Sequence, residues 1–223
     1  MGPMLRVLLI VFGLGAALPV LAEPIPVATY EQGMTALESK DYPSALRIFR
    51  KVAATKEVKQ KYRHAFYRLG MMYLKGVGVK KDEREAYRLL EAAQPLDEET
   101  KTHGPADAWY QVAVMDRDGI GTNKEISTAS IGLARAVALG HKKAAFEAAM
   151  LALYDNSHLP NSMQRHDRIY ALRMLFIARM DNDVRALPVL VRHCKRLNAE
   201  EIATAREDAQ AYFKKDVRPK LVC

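Results

Sequence analysis

The sequence predicts an all-α chain of about five antiparallel helix pairs stacked side by side. Three observations predict it. Apolar residues recur at the three- and four-residue spacing of a helix, and no alternating strand pattern runs longer than a few residues. The stretch from Tyr62 to Ala93 reads as two amphipathic helices around a glycine loop. That stretch returns in weakened form 43 residues later. Helices this short cannot bury their apolar stripes as an isolated pair, so neighbours of the same kind are implied.

In chain order, residues 1–22 read as a secretory signal peptide. Arg6 and the amino terminus supply positive charge, Val7 to Leu18 is apolar, Pro19 breaks the run, and Val20-Leu21-Ala22 suits a signal peptidase. Val7 to Ala22 falls short of the ~20 residues that span a bilayer, so no stable membrane span is expected after cleavage. No lipid-anchor cysteine follows Ala22. Export to the periplasm is the expectation, with secretion as the alternative.

Residues 23–61 hold a proline-containing leader and a first pair: Tyr30, Gly33, Met34 and Leu37 on one helix, a turn at Asp41-Tyr42-Pro43, then Ala45, Ile48, Phe49, Val52 and Ala53. A basic connector, Thr55 to Lys61, leads to the second pair, 62–93. There Ala65, Leu69, Met72 and Tyr73 share a face. Gly76 and Gly78 supply the loop, Asp82 caps the next helix with Glu85 as its capping-box partner, and Ala86, Leu89, Leu90 and Ala93 form the second stripe. Residues 94–104 are an inserted loop. In the third pair, 105–140, Ala65 maps to Ala108, Gly70 to Ala113, Gly76 to Gly119, Gly78 to Gly121, Asp82 to Glu125, Ala86 to Ala129, Leu90 to Leu133 and Ala93 to Ala136, with Gly140 as C-cap. The fourth pair, 141–180, has a longer loop at Asp155 to Ser162. Residues 181–223 form a closing pair and a basic tail, with Asn198 and Glu201 as a capping box.

The run Ala65-x-Tyr67-x-Leu69-Gly70-x-x-Tyr73-x-x-Gly76-x-Gly78-Val79-x-x-Asp82-x-x-x-Ala86, closed by Ala92-Ala93, resembles the Sel-one-like repeat, a relative of the tetratricopeptide repeat. The third pair departs from it at Asp116, Thr122 and Ala113, and the first pair is closer to a plain tetratricopeptide unit. The resemblance implies a right-handed α-solenoid that binds protein segments on its inner face, as exported bacterial adaptors do. A branch linked to penicillin binding staples each repeat with paired cysteines, which this chain lacks.

One position repeats on the other face of the first helices. Tyr67 and Met71, four residues apart, correspond to Tyr30 and Met34, Tyr110 and Val114, and Phe146 and Met150. In the related repeats these positions line the concave surface. There an aromatic-and-methionine ladder would grip a peptide; packing within the stack explains the same pattern. Trp109 falls on the core side. The formal charge of +8 suits anionic envelope partners better than nucleic acid, and equally suits solubility. Basic residues gather at Lys56 to Arg68, Arg165 to Arg173 and Arg192 to Arg196.

Catalytic and metal patterns fail. Asp116-Arg117-Asp118-Gly119 lacks calcium ligands at Ile120 and Ser127. The six histidines form no zinc spacing. His193 and Cys194 are helical neighbours pointing about 100° apart, unsuited to a nucleophile and its base. No phosphate or dinucleotide loop occurs, so no cofactor is expected. Cys194 and Cys223 can pair in an oxidising compartment or stay as thiols. The expected function is a non-catalytic periplasmic scaffold for an envelope protein or peptide. The alternatives are an envelope enzyme or peptidoglycan-binding or polysaccharide-binding accessory, and a secreted effector or virulence adaptor.

Overall fold

The computed structural model describes residues 29–54, 59–94, 105–154 and 161–213. The leader, residues 55–58 of the connector, the inserted loop from 95, the 155–160 loop and the tail from 214 lie outside the described residues. So do the side chains of 59–61, 154, 161–166 and 213.

The described residues form ten α-helices joined by turns, with no strand among them: α1 Tyr30–Glu38, α2 Tyr42–Ala54, α3 Lys59–Lys75, α4 Glu83–Ala92, α5 Ala106–Asp118, α6 Ile126–Ala138, α7 Ala144–Tyr154, α8 Asn161–Met180, α9 Ala186–Cys194 and α10 Ala199–Phe213. Local chemistry sets several starts. Thr29 and Gln32 form a reciprocal capping box on α1. The Asp41 carboxylate accepts from the Ser44 N–H at 3.2 Å, so Tyr42 and Pro43 enter the first turn of α2 instead of forming a separate turn. Asn198 and Glu201 exchange backbone N–H bonds of 3.0 and 2.9 Å at α10.

The expected capping box on α4 is only half made. Asp82 accepts from the Glu85 N–H at 3.0 Å, but the Glu85 carboxylate turns to Arg88 at 2.7 Å. The Asp82 N–H is already bonded to the Tyr73 carbonyl, so Glu85 has no orphan donor to reach back for. A charged donor one turn on takes it instead.

α1 with α2, α3 with α4, α5 with α6, and α7 with α8 pack as hairpins, and each second helix also packs on the first helix of the next pair. The closing pair differs from expectation: α10 takes α8 as its main partner in place of α9. α8 has 20 residues and α9 only 9, so α8 offers surface beyond the reach of α9. The small side chains of Ala205 and Ala209, both buried, let α10 lie close against it. The Tyr212 hydroxyl donates to the Val137 carbonyl on α6, tying α10 to the third pair.

The core follows the repeat. Ala65 and Ala108, Ala86 and Ala129, Leu90 and Leu133, and Ala93 and Ala136 are all fully buried. Departures are compensated. Where Ala113 replaces Gly70, α6 carries Gly132, and a Cβ on it would lie only 2.9 Å from the Ala113 Cβ. Where Asp116 replaces Tyr73, both side chains still reach back to the preceding pair. Tyr73 accepts from Arg50 on α2 at 2.6 Å, and Asp116 accepts from the Tyr87 hydroxyl on α4 at 2.8 Å.

Candidate partner-binding face

The four aromatic positions lie on successive first helices: Tyr30 on α1, Tyr67 on α3, Tyr110 on α5 and Phe146 on α7. All are half-buried, as are Met34, Met71, Val114 and Met150 one turn later. The i, i+4 spacing puts each couple on one helix face. Tyr30, Met34, Tyr67, Met71, Tyr110 and Phe146 pack against buried clusters, so part of each side chain serves the stack.

Each aromatic is also met by a polar group. The Tyr30 ring meets His64 edge-on at 5.9 Å, and its hydroxyl accepts from Arg68 Nε at 3.1 Å. The Arg68 guanidinium lies 5.5 Å from the Tyr67 ring centre. Tyr110 stacks on His141 at 4.1 Å, with the rings 18° from parallel. Arg185 sits 4.1 Å over Phe146. Four of these contacts link one pair to the next: Tyr30 to His64 and to Arg68, Tyr110 to His141, and Phe146 to Arg185.

Burial sets the electrostatics of the row. It pushes the Tyr67 hydroxyl up, helped by Asp107, and the Tyr110 hydroxyl up, helped by Glu147. It lowers His64, with Arg68 adding to the effect. It lowers His141 while Asp107, 3.6 Å from Nε2, pulls the other way. Both imidazoles are held toward the neutral form, in which one ring nitrogen donates and the other accepts.

The fourth rung is closed by charge. Glu147, beside Phe146, accepts from Arg117 at 2.9 Å and Arg185 at 3.0 Å. Arg117 also holds Asp118 at 2.8 Å and Arg185 holds Asp183 at 2.7 Å. Those arginines keep Asp118 and Asp183 below the usual carboxylate range. The five groups largely satisfy one another. At the other end Arg68 engages only neutral rings and a phenol among its described partners, which leaves guanidinium donors for an incoming acceptor. Among the described residues no three side chains converge as a metal site, and no described helix is long and apolar enough to cross a membrane.

The glycine loops follow the first helices of the second and third pairs. Gly76 and Gly78 both have φ +68°, and Gly119 and Gly121 both +71°. The Val77 N–H donates to the Met72 carbonyl and the Ile120 N–H to the Met115 carbonyl, both at 2.9 Å. A groove lined by Tyr73, Lys81, Arg84, Gly121 and Asn123 separates the loops. Lys81 and Glu83 close an ion pair of 2.8 Å along it.

The architecture has a precedent. A Sel1 repeat protein from Oxalobacter formigenes superposes with a TM-score of 0.58 over 82% of this chain and 71% of that one, at 21% identity. The chain has the Sel1-like repeat fold. A protective antigen of uropathogenic Escherichia coli strains, described as displaying an SLR fold, is similar over 83% of this chain and 45% of its own, at 19% identity and a TM-score of 0.46. No family model and no curated protein matches the sequence.

Within this Sel1-like solenoid, sequence reasoning found the aromatic positions but missed the groups that meet them. Arg68 is adjacent to Tyr67 and could have been noticed. His141 and Arg185 come from the following pair, and only the superhelical stacking brings them to Tyr110 and Phe146. Cys194 is buried and disulfide-bonded. The chain's other cysteine, Cys223, lies outside the described residues.

Proposed function

We propose that this chain is an exported, non-catalytic scaffold that captures a segment of an envelope protein along the row Tyr30, Tyr67 and Tyr110, with Met34 and Met71 as adaptable contacts. One observation carries the reading: consecutive aromatics, each half-exposed, are fixed by groups of their own or the next pair. Fixed aromatics lose little freedom on binding, so their contact area is available to a partner. Arg68 supplies donors beside Tyr30 and Tyr67 for a carboxylate or main-chain carbonyl of that partner. Phe146, covered by Arg185, contributes less than the first three, as do Val114 and Met150.

Periplasmic residence follows from the leader in residues 1–22. Cell fractionation tests it, and recovery from culture supernatant alone would favour the secreted-effector reading. Crosslinking in envelope extracts tests the partner. Tyr67→Ala with Tyr110→Ala should abolish capture while leaving helicity unchanged, and intact capture rules the row out. Purified protein that binds a cell-wall fragment, with no protein crosslinked in the extract, would replace the scaffold with a polysaccharide-binding accessory.

A further inference from the structure

Helices α3, α5 and α7 each lie between two others, one from their own pair and one from the pair before. Helix α9 departs from this rule. It packs on α8, and α10 turns to α8 instead of closing over α9. The covered face of α9 carries Ala186, Leu190 and Cys194, all buried and spaced i, i+4 and i+8. No other described helix covers the remainder to a comparable extent.

Apolar side chains stand in solvent there. Val184, in the turn that leads into α9, is 82% exposed, Leu187 42% and Val191 39%. They are three of the five large hydrophobic side chains exposed among the described residues, and their i, i+3, i+7 spacing sets them in one stripe. One turn beyond Val191 the stripe ends in Lys195, with Arg192 and Arg196 close by; all three are exposed. None of these cations has an ion-pair partner among the described residues. Arg185, at the other end, is engaged by Asp183 and Glu147. His193 is lowered first by burial and then by Arg196 and Arg192, as a positive field without a nearby carboxylate requires.

We propose that the exposed side of α9 is a membrane-surface contact, in which Val184, Leu187 and Val191 enter the headgroup boundary of an anionic bilayer while Arg192, Lys195 and Arg196 meet its phosphates. Sign and size select this occupant. Three unpaired cations call for an anionic surface, and the stripe calls for one with an apolar interior. A bilayer containing acidic phospholipid is both.

Size argues against a protein in the same place. Three aliphatic side chains fall well short of the ~800 Å² that each partner gives to a stable protein interface, whether the partner is another protein or a second copy of this chain. A bilayer sets no such threshold. Each cation near an anionic surface raises affinity about fivefold, and the immersed aliphatic groups add to that. The attachment is peripheral and reversible, and it is screened by salt.

The purified mature chain is sedimented with vesicles of phosphatidylethanolamine and phosphatidylglycerol, and with vesicles of phosphatidylcholine alone. It should bind the first and leave the second. Arg192→Gln with Lys195→Gln and Arg196→Gln should weaken binding about a hundredfold, and Leu187→Ser with Val191→Ser about tenfold. Circular dichroism confirms that both variants keep their helicity. Lys80→Gln with Arg84→Gln and Lys124→Gln removes the same charge from other exposed positions and should leave most of the binding. An equal loss there would assign the attraction to net charge and overturn the site. Failure to bind the anionic vesicles, or binding that ignores both α9 variants, overturns it too. So does a photocrosslinker at Leu187 that, in envelope extracts, joins the chain to an acidic protein or a second copy and not to lipid. Tyr67→Ala with Tyr110→Ala should bind vesicles as the wild type does, so the aromatic row and the membrane contact fail separately.

Discussion

Gly121 is pressed against the main chain of Glu83: a Cβ on Gly121 would stand 2.1 Å from the Glu83 carbonyl oxygen. Its equivalent, Gly78, is pressed against Tyr42 in the same way, with 2.3 Å to the Tyr42 Cβ. The second glycine of each loop thus seats one pair on the first turn of the second helix of the pair before it. The first glycine does something else. Gly119 has φ +71° but nothing closer than 3.5 Å to a Cβ, so it needs only its backbone conformation. Gly119→Ala should cost about 1–2 kcal/mol of strain. Gly121→Ala adds a clash with backbone that cannot step aside and should cost roughly 4 kcal/mol or more. Urea unfolding of the two variants checks this. Equal losses would show that the loop, and not the seat, sets the requirement.

The Tyr87–Asp116 bond replaces an aromatic contact of the repeat with a buried carboxylate, 2% exposed. Burial raises the Asp116 carboxyl, and the Tyr87 hydroxyl opposes that rise. The phenol is itself pushed up to about 12, first by burial and then by Asp116. Tyr87→Phe should cost roughly 1–3 kcal/mol at neutral pH, because it strands a buried acceptor. The sign of the pH effect follows. Without its donor, the folded-state pKa of Asp116 rises further above the unfolded 3.8. A carboxyl raised on folding costs stability above that pKa and stops costing it once protonated. The gap between variant and wild type should therefore narrow as pH falls from neutrality toward the unfolded 3.8. A constant gap would mean that the hydroxyl acts only through packing.

How much of this was legible in the sequence divides by distance along the chain. The helix pairs and the loop glycines were readable because helical periodicity, caps and positive-φ glycines are local signals. The stripe positions Ala65, Ala86 and Leu90 transferred correctly to Ala108, Ala129 and Leu133 because the repeat carries its core with it. The half-made cap at Glu85 was not readable, since it turned on a carbonyl nine residues back taking the Asp82 N–H. Nor was the docking of α10 on α8, which depends on the relative lengths of α8 and α9. The candidate face was half legible. Tyr30, Tyr67, Tyr110 and Phe146 stand out by spacing, but His141 and Arg185 reach two of them only through the superhelix.

Glu147 offers a test of that long-range assembly. Its side chain is 18% exposed and bridges Arg117 on α5 to Arg185 before α9, joining three successive pairs through one carboxylate. Glu147→Gln keeps the shape and removes the charge. It should cost about 1–2 kcal/mol, more than an isolated surface pair because two guanidinium groups lose a shared, partly buried partner. The loss should shrink in high salt, where screening weakens the wild-type network. Thermal unfolding of both proteins at low and high ionic strength measures it, and a loss indifferent to salt would assign the effect to packing of Phe146.

Acid should loosen the aromatic row before it loosens the core. His64 and His141 are both lowered from 6.5, burial being the larger cause in each. The His141 Nδ1 is buried without a hydrogen-bond partner, so a proton there would be poorly accommodated. For a base whose folded pKa is depressed, the unfolded chain takes up the proton first. Stability is then full above about pH 6.5 and declines as pH falls through that value toward the folded pKa. Asp107 beside His141 moderates the effect; Arg68 beside His64 and Lys143 near His141 reinforce it. His141→Phe with His64→Phe keeps rings against Tyr110 and Tyr30 but cannot titrate. The double variant should lose part of the wild-type decline in stability between pH 7 and pH 5, with His193, lowered by burial and two arginines, accounting for a remainder. An unchanged decline would place the acid sensitivity elsewhere and leave the row indifferent to pH.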